Sequence, residues 1–330
     1  MTHKKMICMF AFAVLLMLAL TGCSGKQVET GKVRLCEVTH SVFYAPLYVA
    51  FELGYFEEAG LTVELTNGGG ADKVMTAVLA GQADIGFAGP EACIYTYLEG
   101  KENYPKVFGQ LTKRDGSFLI GRSREEFTWE NLRGKTVIGG RKGGVPEMTL
   151  EYVLRKNGLI PGQDVEIDTS VQLNMMAGAF AGDSGDYVTL FEPTATEMEK
   201  EGKGFVLTSI GAESGEIPYT AFFAMQNYLH EHTQTVEKFV AALAKAQHWV
   251  AEHEPSEVAA VILPQFANSS AEVLTNVVQR YQDIDAWNEN LIMKQESFDR
   301  LQTVMEQAGE LSRHVDYSAL VDNTWAEKAR

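Results

Sequence analysis

Short apolar stretches rich in β-branched residues alternate with longer stretches of helical period along most of the chain. VRLCEV at 33–38 predicts a strand, and residues 46–53 predict a helix that stops at Gly54. The alternation continues through LTVELT, ADKVMTAVLAGQ, ADIGFA and PEACIYTYLEG, and KVFGQLT and SFLIGR follow as strands. Such alternation is typical of a mostly parallel sheet with crossover helices.

A second series of the same kind begins at KTVIGG and runs to FVLTSI. YTAFFAM then predicts a strand that returns to the first lobe, because everything after Tyr228 has only helical periodicity. We therefore predict an α/β protein with lobe 1 at 32–121, lobe 2 at 122–222, and a return to lobe 1 with C-terminal helices at 223–330. Two adjacent connections between the lobes would form a hinge.

The first residues have the pattern of a targeting signal. Lys4 and Lys5 precede an apolar run at 6–20 that is short for a membrane span, and the run ends in LTGC. This junction resembles the lipobox of bacterial lipoproteins, which implies a signal peptide at 1–22, lipidation of Cys23 and a tether at 23–31. An ordinary secretory signal is the alternative. We expect a chain anchored to the extracytoplasmic face of the cell membrane through Cys23.

Charge and cysteine usage narrow the possible partners. The net charge is −16 and becomes about −18 once Lys4 and Lys5 are removed, which argues against nucleic acid as a partner. Of four cysteines, Cys36 and Cys93 would remain in the mature body outside any metal-binding spacing. They are either two buried thiols, the interpretation that we favour, or a disulfide.

Motifs of enzymes are missing from the chain: it has no GxGxxG, no complete P-loop, no HExxH and no GxSxG. We therefore expect a protein that is not an enzyme, with no cofactor and no metal site, acting as a monomer.

We predict that the ligand-binding residues lie at junctions where a strand ends in a glycine-containing turn and a proline begins the next helix. Pro90, Pro146 and Pro193 mark three such junctions, and GGGAD at 68–72 is a fourth candidate. In open α/β sheets, turns of this kind line the crevice where ligands bind, although each alone could be a plain helix start. Aromatic side chains beside them could sandwich a flat ligand, and nearby charged groups could hold an anion or an amine. The candidate ligand-binding residues are His40, Ser41, Phe43, Tyr44, Gly69, Gly70, Ala71, Gly89, Pro90, Glu91, Arg114, Arg141, Gly144, Val145, Glu147, Phe191, Glu192 and Tyr219.

Several of these segments carry a family resemblance. HSVFYAPLYVAFELGYFEEAGLTVEL, GGGADKVMTAVLAGQADIGFAGPEA, GKTVIGGRKGGVPEMTLEYVLRKNGL and FEPTATEMEKEG are similar to the nitrate, sulfonate, taurine and thiamine-pyrimidine group of ABC-importer binding proteins. The resemblance implies a type II periplasmic-binding-protein fold, a small-molecule ligand that is amino-pyrimidine-like or sulfonate/nitrate-like, and an ABC importer permease as partner.

The resemblance also brings two alternatives. Pyrimidine synthases of thiamine biosynthesis resemble the same group and use a CCCFC stretch with iron, which this sequence lacks. A lipoprotein ligand sensor without transport is the other alternative, because a fold does not fix a function. Sulfonate binders often have Asp-Pro where this chain has Glu192-Pro193, which favours a nitrogenous ligand.

Overall fold

The chain folds into two five-stranded sheets with helices packed on their faces. The computed structural model describes residues 31–329. The first sheet has the strand order β2-β1-β3-β10-β4 and the second has β7-β6-β8-β5-β9. The strands are β1 Gly31–Glu37, β2 Leu61–Asn67, β3 Ile85–Ala88, β4 Pro105–Thr112, β5 Ser117–Gly121, β6 Lys135–Ile138, β7 Val165–Asp168, β8 Tyr187–Phe191, β9 Phe205–Ser209 and β10 Thr220–Met225.

Crossover helices connect the strands, and the last third of the described chain is helical, as its periodicity predicts. The helices are α1 Ala45–Glu52, α2 Tyr55–Glu58, α3 Ala71–Leu79, α4 Glu91–Leu98, α5 Val145–Lys156, α6 Met176–Ala181, α7 Thr194–Lys200, α8 Ile210–Ser214, α9 Gln226–Glu231, α10 Thr233–Glu252, α11 Pro255–Ile262, α12 Ala271–Asp283, α13 Gln295–Gln307, α14 Tyr317–Leu320 and α15 Thr324–Lys328.

Each sheet is mostly parallel and contains one antiparallel strand. In the first sheet β1 pairs in parallel with β2 and β3, while β10 runs antiparallel to β3 and β4. In the second sheet β6 pairs in parallel with β7 and β8, while β5 runs antiparallel to β8 and β9. The single reversed strand in each sheet is the one that follows a crossover between the lobes. The predicted fold class, a two-lobed α/β protein of the type II periplasmic-binding-protein kind, is confirmed.

The strands that follow the two connections between the lobes begin five and three residues earlier than the expected lobe boundaries, at Ser117 and Thr220. Strand β5 pairs in the second sheet, although the expected boundaries put residues 117–121 in lobe 1, and β10 pairs in the first sheet from Thr220 onward. The sequence around 105–121 reads as a β-hairpin, because two buried apolar runs are separated by a short polar turn. Neither run alternates in polarity, since both are buried on both faces, so the pattern gives no information on strand partners.

The two crossovers between the lobes, residues 113–116 before β5 and residues 215–219 before β10, lie side by side. The amide of Ile217 donates to the carbonyl of Lys113 at 2.9 Å, and the amide of Tyr219 donates to the carbonyl of Thr112 at 3.2 Å. The C-terminal part of the chain joins them, because the amide of Lys113 donates to the carbonyl of Ala286 at 2.9 Å. The expected pair of adjacent connections is therefore present. The C-terminal segment at Ala286 is hydrogen-bonded to the first of them.

The hydrophobic core explains why the helical tail belongs to the fold. One buried cluster runs from β1 through the first sheet to the C-terminal helices, and a smaller one lies under β6, β7 and α5. Cys36 and Cys93 are both buried and free, so the favoured interpretation of two buried thiols is confirmed. Within residues 31–329, no helix is long and apolar enough to cross a membrane.

The predicted signal peptide and the lipidated Cys23 lie outside the described residues. Gly31, expected as the end of the tether, is the first residue of β1 and pairs with Leu61.

Candidate functional site

The two lobes meet where the carboxyl ends of their parallel strands face each other. Ser41, which follows β1, donates its hydroxyl to the carbonyl of Glu192 after β8 at 2.8 Å. The hydroxyl of Tyr95 on α4 donates to the carbonyl of Gly143, in the loop before α5, at 3.0 Å. The predicted junctions therefore converge from both lobes on one cleft.

Proline and glycine shape these junctions in the way the sequence pattern indicates. Pro90 directly precedes α4, Pro146 lies in the first turn of α5, and Pro193 directly precedes α7. Proline suits these positions because the first amides of a helix have no intrahelical acceptor.

A cluster of aromatic rings closes one end of the cleft. Phe43 is fully buried, and its ring centroid lies 5.4 Å from that of Tyr44, 5.9 Å from Phe191, 5.7 Å from Tyr219 and 5.1 Å from Tyr281. These rings come from lobe 1, lobe 2, a crossover and helix α12. The cluster brings together the four aromatic residues predicted for the site and adds a fifth that the sequence did not reveal.

Glu91 is the first residue of α4 and its carboxylate lies deep in the cleft. The residue is 3% exposed, and Oε2 makes no hydrogen bond within the described part of the chain. Burial raises the pKa of Glu91 to about 7, against opposing effects of Arg141 and of the amides of Glu91, Ala92 and Val145. Val145 belongs to lobe 2, so this carboxylate faces the opposite lobe.

Asp115 and Tyr219 form a second group of buried polar atoms, on the two crossovers. Asp115 is fully buried: one carboxylate oxygen accepts from the amide of Ser117 at 2.6 Å, and the other, Oδ2, has no partner among residues 31–329. The nearby hydroxyl of Tyr219 lowers the pKa of Asp115. This hydroxyl is nevertheless not positioned to form a hydrogen bond with Asp115 or with any other described group. Burial is the larger effect and raises the pKa of Asp115 to about 7.

Tyr44 and Tyr219 connect the two acidic groups. Burial raises the pKa of each hydroxyl, and the charges of both Glu91 and Asp115 raise it further. Both tyrosines are therefore close enough to feel both carboxyls. The cleft thus combines flat apolar surfaces with buried oxygen atoms that lack partners, an arrangement suited to enclosing a small ligand.

Two predicted site glutamates use their carboxylates within the protein instead. Glu192 accepts from the amide and hydroxyl of Thr196, both at 2.9 Å, and from Nη1 of Arg280 at 2.6 Å. Glu147 accepts from the amide of Gly143 at 3.1 Å and from Nζ of Lys142 at 3.1 Å. The main chain of Glu192 faces the cleft, whereas its carboxylate links lobe 2 to helix α12 and the Glu147 carboxylate bonds within lobe 2.

His40 is also bound on both sides. Its Nδ1 lies 2.9 Å from Oε1 of Glu37, and its Nε2 lies 3.0 Å from the carbonyl of Gln265. Both partners are acceptors, so the ring donates both hydrogen bonds only when it carries both protons and a positive charge. The hydrogen bond with Glu37 raises the pKa of His40, in agreement with this requirement.

The remaining candidates lie at the margins of the cleft. Gly69 adopts a φ of 71°, which favours glycine, and Gly70 directly precedes α3, whose first residue is Ala71. Nη1 of Arg141 lies 3.7 Å from Oδ2 of Asp72, across the lobes. Gly144 directly precedes α5, and Gly89 lies just before Pro90 at the start of α4.

Arg114 is directed toward the C-terminal segment. Its Nη2 lies 3.7 Å from Oδ2 of Asp285, and its buried Nε has no partner in the described chain. Arg114 is therefore next to the cleft residue Asp115 in sequence, but its guanidinium group faces Asp285 and not the cleft.

Sequence reasoning missed three residues that organise the site. Asp115 stands beside the noticed Arg114, but a single acid in a turn reads as solvated. Tyr281 on α12 donates its hydroxyl to the carbonyl of Gly116 at 3.2 Å, and the indole of Trp287 donates to the carbonyl of Phe43 at 2.8 Å. No signal in the helical tail distinguishes these aromatic residues from core residues.

An open depression of about 470 Å³ lies elsewhere, between α7 and α12. It is lined by Arg124, Thr196, Glu199, Lys200, Asn276, Gln279 and Arg280. None of the predicted site residues contributes to it.

Comparisons with known proteins agree with the fold and with a binding role. The family model described as NMT1/THI5 like matches residues 42–257. YtlA of Bacillus subtilis (strain 168), which is named as a candidate binding protein, is 41% identical over 317 residues, covering 96% of this chain and 95% of the relative.

Solved structures share the fold at low sequence identity. The alkanesulfonate-binding protein SsuA from Xanthomonas axonopodis pv. citri, bound to MOPS, matches with a TM-score of 0.72 and 16% identity, covering 89% of this chain and 99% of that one. The ligand-binding component of an ABC-type import system from Staphylococcus aureus matches with a TM-score of 0.73 and 15% identity, covering 91% and 99%.

Proposed function

Because the chain belongs to the NMT1/THI5-like family, we propose that it is an extracytoplasmic solute-binding protein that captures a small organic ligand between its two lobes and delivers it to an ABC importer. The ligand is amino-pyrimidine-like or sulfonate/nitrate-like.

The observation that carries the proposal is the set of unpartnered polar atoms between the lobes. Oε2 of Glu91, Oδ2 of Asp115 and the hydroxyl of Tyr219 are all buried without a hydrogen-bond partner in residues 31–329. Buried polar atoms are nearly always paired, because an unpaired one costs about 1–3 kcal/mol. Three of them beside an aromatic cluster are the feature expected of a cleft whose ligand supplies the missing partners.

The connections between the lobes are compatible with opening and closing of the cleft. Within residues 31–329, two short crossovers and the C-terminal segment connect the sheets at this point, so opening the cleft requires few backbone changes. The contact of Ser41 with Glu192 and that of Tyr95 with Gly143 would break on opening. Such a protein exposes its site to solvent and encloses the ligand on closing.

A lipid anchor at Cys23 is part of the proposal, because it would favour delivery to a permease. LTGC at 20–23 follows an apolar run, and lipidation of Cys23 would hold the protein beside its importer. Two acyl chains are needed for stable attachment, since one alone binds only reversibly.

Mass spectrometry of released small molecules tests the function. Protein purified from its native host and then denatured should release a compound at near one molecule per chain. A second preparation, unfolded and refolded before release, serves as the control and should contain none. Adding the compound back should raise the melting temperature of the refolded protein. If no compound is released and no member of a metabolite panel raises the melting temperature, the proposed function is wrong.

A further inference from the structure

The carboxylate of Glu91 lies between two helix N-termini. It begins α4, and its Oε2 approaches the turn so closely that a Cβ at Gly89 would lie 2.0 Å away. Amides at the start of α4 and the amide of Val145 at the start of α5 both lower its pKa. The N-terminus of a helix is a preferred anion position, because its free amides and the helix dipole attract negative charge. In this chain, that position is occupied by the chain's own carboxylate.

Asp115 adds a second acid that has no basic partner. The groups that act on its pKa, apart from burial, are Ser117 and Tyr219. Its free oxygen Oδ2 is an acceptor that faces no donor of suitable geometry in the described residues. Two buried carboxyl groups therefore border the same aromatic cluster.

Basic residues near the cleft are engaged by other acids. Lys113 Nζ lies 2.9 Å from Oδ2 of Asp285, and Arg114 Nη2 lies 3.7 Å from the same atom. Arg141 pairs with Asp72 at 3.7 Å and lowers the pKa of Glu91, without offsetting the effect of burial. The charge balance inside the cleft is thus negative.

We propose that the cleft binds its ligand through a positively charged nitrogen group, a protonated amine or an amidinium, held by Glu91 and Asp115, and that it rejects oxyanions of the same shape. This inference rests on the proposed function and selects between its two ligand classes. A cation supplies the missing donors and stabilises the ionised form of both carboxyl groups, whereas an oxyanion next to them is repelled by that ionised form and binds only if the carboxyl groups take up protons.

Proton exchange on binding follows from the same arrangement. The pKa values of Glu91 and Asp115 are both raised to about 7 by burial, so each group is about half protonated at pH 7. A bound cation lowers both pKa values, and binding releases up to about one proton per ligand. A bound anion has the opposite effect and takes up protons.

Two planar probes of the same shape test whether the ligand is a cation or an oxyanion. Benzamidine carries an amidinium and benzoate carries a carboxylate on the same ring. We expect benzamidine to raise the melting temperature at pH 7 in a concentration-dependent way, and benzoate to leave it unchanged. Calorimetry in two buffers of different ionisation enthalpy should show proton release with benzamidine.

Substitutions of Glu91 and Asp115 test whether these two carboxyl groups bind benzamidine. E91Q and D115N should each weaken benzamidine binding about tenfold or more, the loss expected of a charge-assisted hydrogen bond. Each should also reduce the number of protons released. E272Q is the matched control, because Glu272 occupies the first turn of α12 and is exposed. It should bind benzamidine as the wild type does, and circular dichroism of all three variants checks the fold.

The outcomes separate this inference from the proposed function. A larger response to benzoate than to benzamidine, no response to benzamidine at its highest soluble concentration, or unchanged binding in both E91Q and D115N would overturn the ligand class. An anionic compound released from the native protein would also overturn it, while leaving capture between the lobes intact. Failure of the proposed function requires that no compound is released and none in the panel binds.

Discussion

Tyr281 offers the sharpest test of how the C-terminal helices hold the cleft. It lies on α12 and is fully buried. Its hydroxyl donates to the carbonyl of Gly116 in the first crossover at 3.2 Å and accepts from the amide of Glu192 at 3.1 Å. Tyr281→Phe removes this one oxygen and keeps the ring that packs against Phe43.

The expected loss of stability can be estimated from these two hydrogen bonds. The variant leaves a buried carbonyl and a buried amide without partners, and each unpaired group costs about 1–3 kcal/mol. Local relaxation recovers part of the sum, so we expect a loss of about 2 kcal/mol. If the Glu192 amide exchanges by local opening, this loss corresponds to roughly 30-fold faster hydrogen exchange, since 1.4 kcal/mol is a factor of 10.

Hydrogen–deuterium exchange measured on the segment that contains Glu192, together with the melting temperature, provides the assay. Tyr152→Phe is the matched control, because Tyr152 is half-buried on α5 and takes no part in the hydrogen bonds of Glu192 and Gly116 with Tyr281. We expect faster exchange at Glu192 and a lower melting temperature for Tyr281→Phe alone. Equal exchange in the two variants would refute the reasoning that this hydroxyl holds the crossover and the end of β8 together.

Three further predictions concern charge, motion and anchoring. His40 has a pKa raised above its ordinary value of 6.5 by Glu37, so the stability that its charge contributes is fully present below pH 6.5 and is lost as the pH rises through the raised pKa. Denaturation at several pH values should show the largest advantage of wild type over His40→Gln in acid, and a constant difference would contradict the charged pair. Small-angle scattering should give a smaller radius of gyration with the released ligand than without it, and an unchanged radius at saturation would indicate a rigid pocket. A Cys23→Ser protein should leave the membrane fraction, and its full retention there would exclude lipidation at this residue.

The sequence by itself was sufficient for the architecture, whereas the ligand-binding role of the predicted residues stays a prediction. Periodicity distinguishes strands from helices, so the two α/β series and the helical tail were predicted correctly. Pro90, Pro146 and Pro193 marked the helix starts, and the turns before them converge on the cleft as expected. Phe43 and Tyr44 were identified after the first strand, Phe191 before Glu192-Pro193 and Tyr219 beside Pro218, and Phe43 packs against the other three.

Strand partners and the direction of side chains were decided only by the tertiary structure. The pairing of β5 with β8 and β9 could not be predicted, because a strand buried on both faces has no polar face to fix its neighbours. Glu91, Glu147 and Glu192 look alike in sequence, each beside a helix start, yet the last two have internal partners and Glu91 has none for its Oε2. The difference depends on residues far apart in the chain, such as Arg280, 88 positions from Glu192. Whether a carboxylate is paired is a property of the folded environment, since burial and long-range partners determine its charge.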